Sequence, residues 1–216
     1  MVMSEYTTTI MAYCDLSPDT LKQLFQLRRE QFIDRLKWNI ESYEGGDEEA
    51  DNFDAMGTYY LILEHRGCLV GSVRLRPSFL PNMTNTDFSE LVKGIKINRF
   101  TAWEASRFHI ANNTANENKA AKGESFISEK TVILFLAMIE YGIENSIEGY
   151  EIIVDAFMKR LLSLTGWKGK YLASGKGSCN ETIYYGFLPC SVKALTEIAG
   201  KYYSYGARPS QLEAGR

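Results

Sequence analysis

The stretch TYYLILEHRGCLVGSVRLR, residues 58–76, carries the first firm structural signal in this chain. Two β-rich runs, Thr58–His65 and Cys68–Arg76, flank the pair Arg66-Gly67, and two residues containing glycine between such runs signal a tight hairpin. Working toward the N-terminus, Glu41–Asp54 holds seven acidic residues, no basic one and the pair Gly45-Gly46, so it reads as a loop. Before it, Ser17-Pro18 has the form of an N-cap with proline in the first turn. Leu21, Leu24, Phe25, Arg28, Phe32 and Leu36 follow at helical spacing, so a helix is expected from Pro18 to Leu36. Thr7–Ala12 alternates as a short first strand.

Toward the C-terminus, Phe88–Val92 is expected to be a short helix and Thr101–Ile110 a strand. Ala111–Gly123, rich in Asn, Ala and Lys, is expected to be mobile. Ser128 opens a helix that is apolar on most sides through Val132, Leu134, Leu136, Ile139 and Ile143, the pattern of a buried helix. A strand at Glu151–Val154, a helix at Phe157–Leu164 closed by Thr165-Gly166, strands at Lys170–Ser174 and Thr182–Leu188 and a helix at Val192–Ile198 complete the reading. Strands and helices are mixed without a repeat or linker. The expectation is one α/β domain over residues 1–206, with a mixed, mostly antiparallel sheet flanked by helices and a flexible tail at 207–216.

Composition sets limits. The chain of 216 residues is 45% hydrophobic, with a formal charge of −3 and a pI near 5.6. That balance argues against a general nucleic-acid binder. No apolar run reaches the ~18 residues needed to span a bilayer, and the start lacks the basic and apolar regions of a secretory signal. A cytoplasmic protein with no membrane partner is expected. Cys14, Cys68, Cys179 and Cys190 form no CxxC pair, and with only two histidines no metal site is expected.

Three blocks then combine. The first is LRREQF at 27–32, continuing through Arg35-Leu36 to Trp38. The second is EADNFD at 49–54. The third is WEASRF at 103–108, preceded by GSVRL at 71–75. Taken in order, Arg28, Phe32, Trp38, Asp51, Asp54, Arg74, Glu104 and Arg107 make the chain resemble the LuxI-type acyl-homoserine-lactone synthases, closely over 20–110 and loosely over 125–190. These enzymes make the signals of bacterial quorum sensing.

The resemblance implies a fold similar to the GNAT acyltransferases, its sheet split by a V-shaped opening for an acyl arm. It implies two substrates, S-adenosylmethionine and an acyl-acyl carrier protein (acyl-CoA in some members), and no cofactor. Amide formation would be followed by lactone closure with release of 5′-methylthioadenosine. An ammonium is no nucleophile until a base removes its proton. Glu104 is the candidate base, with Ser106 and Arg107 beside it in the catalytic block and the Ser106–Phe108 backbone a candidate oxyanion donor. Glu104 could instead be a structural partner of Arg107.

Asp51 and Asp54 could receive cationic parts of S-adenosylmethionine, with Arg28, Arg74 and Arg107 holding their loop over the site. The other acids, Glu41, Glu44, Asp47 and Glu48, read as solvated surface. Trp38 could cover adenosine or the sulfonium, while Phe32 fits core packing. Met83, Phe88, Phe108, Leu136 and Ile152 are candidates for the acyl pocket. Where family members making 3-oxo products carry a threonine, this chain has Ile152, so an unsubstituted acyl chain is expected. LRPSF at 75–79 also departs from the family's Leu-Leu-Pro-Thr-Thr. Lys159, Arg160, Lys168 and Lys170 are candidates for docking an acidic carrier protein.

Two other readings compete. An acetyl-CoA-dependent GNAT N-acetyltransferase would carry a Q/R-x-x-G-x-G/A turn after Ile110, where the sequence has none. A ligand-sensing domain that keeps the fold without catalysis would have no need of the intact acidic block.

Overall fold

The protein was analysed as a computed structural model, which describes residues 5–111 and 127–204. Arg66 and Gly67 both adopt positive φ, 53° and 75°. Two such residues in a row give the turn whose twist matches antiparallel strands. They join β2 (Tyr59–His65) to β3 (Cys68–Pro77). β1 (Tyr6–Ala12) adds antiparallel to β2, and β4 (Ala102–Ile110) antiparallel to β3.

β5 (Gly149–Asp155) runs parallel to β4, which requires a crossover. The crossover contains α2 (Glu129–Glu144). β6 (Lys170–Lys176) and β7 (Thr182–Pro189) complete a seven-stranded sheet of order β1-β2-β3-β4-β5-β7-β6.

Helices cover both faces of this sheet. α2 and α4 (Val192–Ser204) bury Leu134, Met138, Ile139, Ala194 and Ile198 against Leu61, Leu63, Val73, Leu75 and Tyr150. On the other face α1 (Pro18–Arg29) lays Leu24 and Phe25 on Tyr60 and Ile62. Two covered faces explain why β2 reads as a continuous apolar run rather than a strict alternation. The caps are those the sequence announces. Ser17 Oγ accepts the Thr20 amide at 3.1 Å. α3 (Ala156–Thr165) closes on Gly166, whose φ of 96° suits the left-handed C-cap.

Two expectations change. The first helix does not run unbroken to Leu36: it is α-helical to Arg29 and π-helical over Glu30–Arg35. The wider winding rotates Phe32 and the residues after it, and such segments often accompany functional sites. The expected helix at Phe88–Val92 is absent, replaced by a run of turns. Just before it Asn82 and Asn85 exchange side-chain bonds with each other's backbone amides at 2.9 and 3.0 Å, a local alternative to helical bonding. The segment expected to be mobile lies outside the described residues beyond Ala111, as does the expected tail at 207–216. Among the described residues no helix is long and apolar enough to cross a membrane.

Candidate active site

The sheet splits at β4 and β5. Only Ala102–Glu104 of β4 pair with Gly149–Glu151 of β5, and beyond this rung the strands diverge. On its other edge β4 carries a bulge. Arg74 faces Ser106 and Ser72 faces His109, so Arg107 and Phe108 together oppose the single residue Val73. Arg107 takes φ of 54°, a left-handed conformation that costs energy in a residue with a side chain. The bulge is held from beside it, since His109 Nδ1 lies 3.2 Å from the Arg107 carbonyl. That contact makes Nδ1 the protonated nitrogen, and burial holds the imidazole down to about 4, so it is neutral.

A cavity of about 1010 Å³ opens along this split. One wall is Phe32, Trp38, Ser106, Arg107 and His109. The other is apolar, with Phe135, Met138, Ile152, Leu162, Trp167 and Leu188. Phe32 and Trp38 stack with centroids 5.2 Å apart, and the Arg107 guanidinium lies 5.8 Å from the Phe32 ring. Phe32 therefore packs as expected and also lines the cavity.

Behind the polar wall lies a buried ion-pair cage. Arg28 donates to Glu49 and to Asp54, each at 2.7 Å. Arg74 donates to Asp51 at 2.5 Å, to Asp54 at 2.9 Å and through Nε to Ser106 Oγ at 3.1 Å. Arg107 reaches Glu49 at 3.0 Å and Asp51 at 2.9 Å. Tyr60 adds its hydroxyl to Asp54 at 2.5 Å. Arg28, Arg74 and Glu49 have no solvent exposure. Burial opposes the charge on Asp54, but Arg28 and Arg74 overcome it and hold the carboxyl well below the usual carboxylate range. The same attraction raises Arg28 and Arg74 despite their burial.

Asp51 and Asp54 turn their carboxylates toward the arginines of the cage. Both oxygens of Asp54 are taken, by Arg28, Arg74 and Tyr60 on one side and by the Asp51 amide on the other. Asp51 accepts Arg74 and the Phe53 amide on Oδ1 and faces Arg107 on Oδ2. Neither aspartate lines the cavity, nor do Arg28, Arg74 and Glu104, which lies just behind Ala105 and Ser106 of its lining. The cage anchors the acidic loop and fixes Arg107 and Ser106 from behind. Phe53, buried below Arg74 at 5.6 Å, docks the loop.

Two members of the cage were not singled out from the sequence, Glu49 and Tyr60. Glu49 bridges Arg28 and Arg107, while its neighbour Glu48 is exposed. No spacing in the sequence separates it from the solvated acids beside it.

Glu104 is not the partner of Arg107, whose acids are Glu49 and Asp51. It is buried, accepts the Thr84 amide on Oε2 at 2.6 Å, and its Oε1 has no hydrogen-bond partner among the described residues. Of the acyl-pocket candidates, Met83, Phe108 and Ile152 line the cavity. Leu136 packs on the central core instead, and Phe88 is outside the lining, on the turns that replace its expected helix. The basic set also divides. Lys159 is drawn over the rings of Tyr184 and Tyr171, 3.6 and 4.4 Å from their centroids, and Lys168 faces Glu197 at 3.5 Å. Arg160 and Lys170 are exposed.

The autoinducer synthase family model matches residues 13–198. A curated acyl-homoserine-lactone synthase from Enterobacter agglomerans is 34% identical over 179 residues, 83% of this chain and 80% of its own length. Among solved structures, the acyl-homoserine-lactone synthase LasI superposes with a TM-score of 0.75 at 21% identity, covering 91% of this chain and 96% of that one. The CoA-dependent acyl-homoserine-lactone synthase BjaI, solved with S-adenosylmethionine and isopentyl-CoA, gives 0.76 at 19% identity, covering 98% and 95%.

Proposed function

Because this chain belongs to the autoinducer synthase family and is an acyl-homoserine-lactone synthase, we propose that it joins S-adenosylmethionine to an acyl thioester and then closes the lactone. The observation that carries this reading is the single cavity with two unlike walls, meeting where β4 leaves β5. The aromatic pair Phe32 and Trp38 suits a sulfonium and an adenine, through cation–π attraction and stacking. The apolar wall around Phe135, Met138 and Ile152 suits an acyl chain. The acetyl-CoA-dependent acetyltransferase reading is set aside, since the family assignment covers the whole functional block.

In the proposed reaction Glu104 takes a proton from the α-ammonium, directly or through a water. The freed amine attacks the thioester carbon, and the oxyanion is met by backbone N–H groups on the edge of β4 that β5 leaves unpaired beyond Glu104. The C–S bond breaks and the thiolate leaves with a proton. The methionine carboxylate then attacks its own γ-carbon, the C–S⁺ bond breaks, and 5′-methylthioadenosine departs as the lactone closes. Ser106 and Arg107 shape the polar wall, held from behind by Arg28, Arg74, Asp51 and Asp54.

The proposed donor is an acyl-acyl carrier protein, with Arg160, Lys168 and Lys170 the exposed cations of the expected set for an acidic partner. Ile152 gives the pocket no hydrogen bond for a 3-oxo group, which favours an unsubstituted chain. Purified protein given S-adenosylmethionine and one acyl group, on carrier protein or on CoA, tests the reading by mass spectrometry. The expected result is lactone and methylthioadenosine in equal amounts, faster from the carrier protein. Methylthioadenosine without lactone contradicts it.

A further inference from the structure

The last rung before the sheet splits holds two buried carboxyls side by side. Glu104 on β4 is the register partner of Glu151 on β5, and both side chains are almost wholly enclosed. Their surroundings differ. Glu104 has the Thr84 amide on Oε2 and the Arg74 guanidinium near enough to feel its charge. Glu151 accepts the Tyr185 hydroxyl at 2.5 Å, and among the described residues no cation comes within ion-pair distance of it. The groups that face Glu151 are Tyr185 from β7, Ser78 and the more distant Arg99 from the segment between β3 and β4, and Glu104 itself.

We propose that Glu151 is a positioning residue that holds a proton beside Glu104. The inference rests on the reading of Glu104 as the base. Two like charges side by side on one rung in a low-dielectric interior do not both form. The anion goes to the site with a cation and a backbone donor, and the proton to the site without them. Burial and the neighbouring Glu104 charge push the Glu151 carboxyl up, against the pull of Ser78 and Tyr185. A neutral Glu151 can still accept the Tyr185 hydroxyl on its carbonyl oxygen.

Carboxyl-carbon NMR of the full chain labelled with ¹³C-glutamate tests this, with the Glu151 signal assigned by its loss in Glu151→Gln. The expected signal is that of a protonated acid at pH 7, and in Glu104→Gln its titration moves down toward the ordinary glutamate value. An ionised Glu151 at pH 7 overturns the proposal. Glu151→Gln, which fixes the neutral form, should leave the acid limb of kcat/KM in place. An acid limb that moves in folded Glu151→Gln protein also overturns it. Full turnover in Glu104→Gln would remove the base reading alone, because the NMR signal reports the proton without reference to activity.

Discussion

The two walls of the cavity are built on opposite terms. Behind the polar wall three arginines and three acids cancel in charge, and each acid is fixed by two or more partners. The apolar wall is a continuation of the protein core, in which Phe135, Met138, Ile152, Leu162 and Trp167 touch both the cavity and the packed interior. A buried ion-pair cage fails as a unit when one charge is removed. An apolar wall tolerates exchange of one hydrocarbon for another and changes what it admits.

Removing one member of the cage is the strongest way to separate the two. Arg74→Met leaves Asp51 and Asp54 short of a partner, and the expected cost is about 3–5 kcal/mol with loss of activity. Urea unfolding alongside product assay checks it. A stable, active Arg74→Met protein would mean that the cage is dispensable.

Acid tests the polar wall more gently. His109 has its folded value near 4 against about 6.5 in the unfolded chain, so below 6.5 the unfolded state binds the extra proton. Stability should therefore fall by about 3 kcal/mol as the pH drops from 6.5 to 4. A His109→Gln variant should lack that slope. The cage carboxylates, held low by their arginines, add their loss below about pH 4, as the pH falls through the unfolded carboxylate value. Denaturant midpoints across pH resolve the two windows.

Legibility in the sequence follows the same division. The pairing of Arg28, Arg74 and Arg107 with Asp51 and Asp54 was readable through the family resemblance of LRREQF, EADNFD, GSVRL and WEASRF, and Arg forks suit carboxylates. Glu49 was lost among its solvated neighbours, since spacing alone does not tell which of seven acids turns inward. The apolar wall was poorly readable: Leu136 and Ile152 have the same chemistry, and only the divergence of β4 from β5 decides which one meets the cavity. The π-helical turn at Glu30–Arg35 continues the helical spacing, and nothing local in the residues marks the change. The β2–β3 hairpin, by contrast, was fixed by its turn chemistry, and most element boundaries agree within a residue or two. Among the C-terminal elements, β5 begins two residues early and α4 runs six residues past its expected end. Glu151 reads as one more residue of a strand until its register with Glu104 is known.

Smaller effects refine the contrast. Trp38→Ala removes the aromatic face stacked on Phe32, and the KM for S-adenosylmethionine should rise about tenfold with a lesser change in kcat. Ile152→Thr supplies one hydroxyl to the apolar wall, and the ratio of 3-oxo to unsubstituted product should rise about fivefold, the worth of one hydrogen bond. Competition between the two acyl donors measures that ratio. Lys168→Ala breaks only an exposed pair with Glu197 and should change stability by less than about 1 kcal/mol.

The central claim is that the two walls serve one amide-forming, lactone-closing reaction. Mass spectrometry of lactones extracted from bacteria expressing this chain tests it most directly. The account predicts an N-acyl-homoserine lactone with an unsubstituted chain, present with the native chain and absent with Arg74→Met. Soluble native protein that yields no lactone would contradict it.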